Sequence, residues 1–81
     1  MHRGSESQKR RLRELLRKLR EATGLRQVDL AERLKRPQSF VSKYESGEKT
    51  LDFLEVREVC RALDLSLVDF VRQFEEGTDE G

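Results

Sequence analysis

The chain is poor in the residues that staple or stiffen a protein and has no segment able to span a membrane. Of its 81 residues one is cysteine, one is proline and none is tryptophan, and aromatic side chains make up only 6%. The lone Cys60 cannot close an intramolecular disulfide or build a multi-cysteine metal site, and it suits a reducing compartment. No apolar run approaches the ~18 residues needed to cross a bilayer. The opening Met1-His2-Arg3-Gly4-Ser5 passes straight into charged residues, without the apolar stretch of a secretory leader. These absences predict a soluble, cytoplasmic protein with no membrane partner. No Ser-His-Asp, Cys-His or paired-carboxylate arrangement can be assembled, and His2 has no second ligand near it in sequence. An enzyme, a metal site, a cofactor and a small-molecule ligand are therefore not expected.

What is abundant is charge. Charged residues are 41% of the chain and apolar residues 35%, so one small domain must build its core economically from Leu, Val and Phe. Such a core contributes only about 3–5 kcal/mol of stability, which leaves room for help from a partner subunit. The net charge of +1 conceals an asymmetry. Residues 1–49 carry fourteen Lys and Arg against seven Asp and Glu, whereas residues 50–81 carry three against nine. The first half is suited to meet a polyanion; the second has another task.

Apolar spacing predicts helices throughout and no strand. Leu12, Leu15, Leu16 and Leu19 fall at i, i+3, i+4 and i+7, one stripe on a 3.6-residue period, with Ser5 and Gln8 spaced as a capping box and Gly24 as a stop. A second, short helix covers residues 27–34. Arg36 precedes a proline and is biased away from helical angles. A third helix starts at Pro37 and runs to Ser46-Gly47, with Val41 and Tyr44 inward. Asp52 can cap a fourth, striped by Val56, Val59, Cys60 and Leu63; Ser66 can cap a fifth, striped by Leu67, Phe70, Val71 and Phe74. Cys60 then reads as a buried small hydrophobe.

The stretch from Arg26 to Gly47 is the informative one. Two short helices joined by Lys35-Arg36-Pro37 form the unit that lays its second helix in the major groove of DNA, and the small Ala31 permits the close crossing this requires.

The string Leu25-Arg-Gln-Val-Asp-Leu-Ala-Glu-Arg-Leu-Lys-Arg-Pro-Gln-Ser-Phe-Val-Ser-Lys-Tyr-Glu-Ser-Gly47 resembles the Cro and phage-repressor (Xre-type) helix-turn-helix family, and the leading helix and Arg61–Val68 fit the family pattern as well. The resemblance implies an all-α, compact five-helix lambda-repressor-like domain over residues 8–75, with helices 2 and 3 as the helix-turn-helix. A flexible N-terminal arm (1–7) and a flexible acidic tail (76–81) would flank it. It implies a sequence-specific transcriptional regulator, a repressor, that binds double-stranded operator DNA as a homodimer. By the same resemblance Gln27 bonds a DNA phosphate, Gln38, Ser39 and Lys43 read bases with Phe40 and Ser42 beside them, and Arg20 pairs with Glu45. The chemistry agrees: Gln can bond adenine N6 and N7, Lys can reach guanine O6 and N7, and Phe can lie against a thymine methyl. Arg26, Arg36 and Lys49 are candidate phosphate contacts.

Three positions depart from the family pattern. Arg26 stands where Ser, Thr or Asn usually caps helix 2, a loss of ~1 kcal/mol. Lys35 and Asp64 stand where glycine is frequent, and Lys in a left-handed conformation costs about 1 kcal/mol. The apolar stripe of the last helix exceeds what one small core needs, so Phe70, Val71 and Phe74 are candidate dimer contacts. Two other regulators of this size remain open from sequence: the antitoxin of a toxin pair, and the controller protein of a restriction-modification system.

Overall fold

The computed structural model describes the backbone of residues 3–77 and the side chains of residues 6–77. Five helices follow one another: α1 (Arg3–Ala22), α2 (Gln27–Leu34), α3 (Gln38–Ser46), α4 (Phe53–Ala62) and α5 (Leu67–Glu76). No strand occurs among the described residues.

The N-terminal arm is shorter than expected. Residues 3–7 belong to α1, and Ser5 lies inside the helix rather than at its start. The reason is local: Glu6 in the first turn complements the helix dipole, and it sits 4.0 Å from Lys9 one turn on. Met1 and His2 lie outside the described residues, as does the expected acidic tail from Thr78 onward; Glu76 is the last residue of α5.

Three of the helices stop in the same way. Leu25 N–H bonds the Arg20 carbonyl and Gly24 N–H that of Glu21; Arg36 bonds Ala31 while Lys35 bonds Glu32; Leu65 bonds Cys60 while Asp64 bonds Arg61. This is the Schellman arrangement, which needs a left-handed residue at its corner. Gly24 takes it with φ +78°, but Lys35 and Asp64 adopt φ 59° without being glycine. The cost expected from sequence at these two positions is therefore present. Starts are better served. Asp52 accepts from Glu55 N–H at 2.8 Å while Glu55 accepts from Asp52 N–H at 2.9 Å, and Ser66 accepts from Asp69 N–H at 3.0 Å. Pro37 is the residue before α3 rather than its first member, with extended ψ 153°.

Leu16, Leu30, Val41, Tyr44, Val59 and Cys60 are fully buried, and Ala31 of α2 is buried with them. Burial pushes the Cys60 thiol up to about 11, so it stays protonated and inert. Phe70 also belongs to this core, which removes it from the candidate dimer contacts. Phe74 is half-buried: Arg11 lies 4.4 Å over its ring and donates to its carbonyl at 2.7 Å, tying α1 to the end of α5. Both corrections have one cause. The α5 stripe packs back onto α1 and α4.

One buried polar contact joins α1 to the last turn of α3. Arg20 on α1 meets Glu45 on α3 through two hydrogen bonds, Nε to Oε2 at 2.7 Å and Nη2 to Oε1 at 3.0 Å, with the side chains only 10% and 4% exposed. Arg20 Nη1 also donates to the Leu25 carbonyl at 2.8 Å, in the α1–α2 connection. The bonds to Glu45 hold the guanidinium pKa above its usual value despite desolvation.

Removing one member of a buried pair strands the other's charge. Glu45→Ala and Arg20→Met should each destabilise by roughly 3–5 kcal/mol, and the double replacement Arg20→Met/Glu45→Leu should recover much of that loss. Thermal melts of the three variants check this; single variants that melt like the parent would show the pair to be inconsequential. At the left-handed corners, Lys35→Gly should raise stability by about 0.5–1 kcal/mol and Asp64→Gly by less, since Asp tolerates this conformation better. Urea unfolding midpoints give the order.

Candidate nucleic-acid interface

The connection from α2 to α3 is three residues long, Lys35-Arg36-Pro37, which sets α3 across α2 with its outer face open to solvent. Gln38, Ser39 and Lys43 are exposed on that face, and Ser42 is half-buried beside them, its hydroxyl donating to the Ser39 carbonyl at 3.3 Å. These are the expected base-reading positions, and the helix brings them together. Lys43 has no carboxylate partner among the described residues. Its ammonium remains available for a base edge or a phosphate.

Phe40 does not belong with them. It is only 9% exposed, packed edge-on against Tyr44 with ring centroids 5.7 Å apart, and covered by Arg36 at 4.4 Å and Lys49 at 5.8 Å. An aromatic at this register falls on the core side of α3, where burying its ring outweighs a contact with a thymine methyl. It serves instead as the platform that holds two cations beside the recognition helix.

The side chains that fix the face form a chain reaching back to the buried ion pair. Gln27, at the start of α2, donates from Nε2 to Glu45 Oε1 at 2.9 Å. Gln38 donates from Nε2 to Gln27 Oε1 at 3.4 Å, a long bond. A carboxylate only accepts, so the Gln27 nitrogen must face Glu45 and its oxygen must face outward. That orients Gln38 in turn. One Nε2 proton of Gln38 is directed at Gln27, which leaves the other proton and Oε1 for the two-point contact an adenine edge requires. The second Nε2 proton of Gln27 is left for a phosphate oxygen. Sequence reasoning named Gln27, Gln38 and the Arg20–Glu45 pair but not their linkage, because residues 18 and 11 positions apart meet only through the fold.

The proposed phosphate contacts are all paired within the protein. Arg26 chelates Asp29 with Nε at 3.0 Å and Nη2 at 2.9 Å, and Asp29 accepts from the Arg26 backbone N–H at 2.8 Å. The Arg26 side chain cannot cap α2, having no acceptor, but Asp29 supplies the other half of a capping box. Arg26 holds the Asp29 carboxyl down to about 2. Arg36 lies 3.2 Å from Glu58, and Lys49 lies 3.5 Å from Glu55. Sequence reasoning did not single out Asp29 as the partner of Arg26; the partners of Arg36 and Lys49 meet them only through the fold.

Among the described residues no three His, Cys, Asp or Glu side chains gather as metal ligands would, and no helix is long and apolar enough to cross a membrane.

Comparison with known proteins agrees with this geometry. Residues 11–72 match the model of the helix-turn-helix domain family. An XRE-family like protein from Pseudomonas syringae pv. tomato is similar in structure, with a TM-score of 0.85 and 38% sequence identity over 91% of this chain and 90% of that one. No curated protein sequence matches. A helix-turn-helix over most of the chain is that of a DNA-binding regulator, and the chain belongs to the Xre-type helix-turn-helix family.

Proposed function

We propose that the protein is a cytoplasmic repressor, without catalytic activity, that binds a palindromic operator as a homodimer, each copy laying α3 in a major groove. The observation that carries this reading is the pre-set Gln38 amide at the N-terminal end of α3. It is exposed, directed by Gln27, and backed by a carboxylate that cannot turn away. A side chain whose orientation is biased before binding has less freedom to lose, which favours discrimination between bases.

A single α3 offers few base contacts, so two-fold symmetry is the usual way for a reader of this size to gain affinity. It sets the two recognition helices about 34 Å apart on successive major grooves. The apolar surface suited to that contact lies on α4 and α5. Phe53 and Val71 line one groove together with Leu12, Leu51, Val56, Leu67 and Phe70, and their sequence neighbours Leu54 and Val68 are 62% and 67% exposed. Val71 thus stays among the candidates, joined by Phe53, Leu54 and Val68, while Phe70 and Phe74 leave. This surface belongs to the acidic half of the chain, which duplex DNA repels.

Selection of bound fragments from random duplexes should return an inverted repeat. Against that site, Gln38→Ala should cost about 1–3 kcal/mol and relax preference at one base pair, whereas Gln27→Ala should weaken all sequences. Because the two amides touch, their effects should fall short of adding. Equal loss on every sequence for Gln38→Ala would remove it from base reading. Sedimentation checks the assembly: Leu54→Glu/Val68→Glu should leave the monomer folded, since both side chains are already in water, and abolish the dimer. A wild type that stays monomeric while binding the inverted repeat would sink the homodimer.

A further inference from the structure

Outside the recognition helix the cation nearest to it in sequence is Arg36, and its guanidinium is already engaged within the protein. Its guanidinium rests on the Phe40 ring, Nη1 is 4.0 Å from Glu55, and Nη2 donates to Glu58 Oε1 at 3.2 Å. The two carboxylates are not equivalent. Glu55 is 17% exposed and is fastened by the α4 cap, accepting from Asp52 N–H while pairing with Lys49. Glu58, one turn further along α4, is 52% exposed and reaches Arg36 through one oxygen at the long end of hydrogen-bond distance.

We infer that Glu58 sets the sequence-blind part of DNA affinity by competing with duplex phosphate for Arg36. The ring already positions the guanidinium, so a loosely held, half-exposed carboxylate adds little to its placement. What Glu58 does supply is an anionic acceptor of the kind a phosphate oxygen offers, on one edge of the guanidinium. A phosphate that engages the Glu58 edge of Arg36 must displace the carboxylate or share its proton. The base-reading side chains Gln38, Ser39 and Lys43 form no hydrogen bond or ion pair with Glu58 among the described residues, so the competition reduces backbone attraction and leaves base contacts alone. In a chain whose first forty-nine residues carry fourteen Lys and Arg against seven Asp and Glu, such restraint limits capture by duplex of any sequence.

The inference rests on the DNA-binding reading, and one titration separates the two. Binding of a short mixed-sequence duplex is followed by fluorescence anisotropy over a range of salt, for wild type, Glu58→Gln, Arg36→Met and the double variant. Methionine keeps an apolar cover on Phe40 without the charge, and thermal melts confirm that each variant is folded. Glu58→Gln should bind about two- to five-fold tighter. The fall of log affinity with log salt should steepen by up to about 0.9, one added phosphate contact. In the Arg36→Met background the gain should vanish. Unchanged or weaker binding by Glu58→Gln would mean that Glu58 is idle or positions Arg36, and a gain that survives Arg36→Met would mean that only net charge matters; either overturns the inference. A wild type that binds no duplex even at low salt would overturn the DNA-binding reading itself.

Discussion

The bidentate contact between Arg20 and Glu45 is the constraint on which the working face depends. It spans from α1 to the last turn of α3, takes in the carbonyl that begins the approach to α2, and offers its spare carboxylate oxygen capacity to Gln27. A small core of this kind has little free energy to spend on orientation, and apolar contacts are in any case indifferent to small rotations of a helix about its axis. A directional pair in a dry setting is not indifferent. It fixes how α3 is turned against α1, and through two amides it extends that direction to the solvent side.

Charge is organised by the same economy. The positive first half and negative second half are not simply opposed surfaces, because α4 returns Glu55 and Glu58 to the flank of α3, where they meet Lys49 and Arg36. Arg26 is matched within its own turn by Asp29. The flank of α3 therefore combines the open ammonium of Lys43 with several cations already in company. On the proposed reading, the paired cations temper attraction to phosphate while Gln38, Ser39 and Lys43 discriminate between bases.

Helix existence and order were legible because each apolar stripe repeats at the helical period, and the caps at Asp52 and Ser66 were legible because a capping oxygen needs its partner three residues on. The left-handed corners at Lys35 and Asp64 were legible as departures from glycine. Less visible was the status of aromatic residues. Phe40 and Phe70 each sit at a register compatible with either side of the helix edge, and only the presence of Tyr44, Arg36 or α1 against the ring decides that it is covered. The start of α1 was misjudged for the opposite reason: a polar, charged opening carries no stripe, yet its backbone continues as helix.

Sequence alone therefore determined what is local: five amphipathic helices, their stops and caps, the three-residue turn between α2 and α3, and the outward set Gln38, Ser39 and Lys43. These depend on periodicity and on neighbours within one turn, which the order of residues records directly. Tertiary structure alone decided which side chains share a hydrogen bond across 11 to 25 positions, which cations are already paired, and which apolar residues of α4 and α5 remain in water. Those outcomes depend on how helices are rotated and set against one another. That placement is a property of the whole packed core, to which each residue contributes and which no single stretch of the chain encodes.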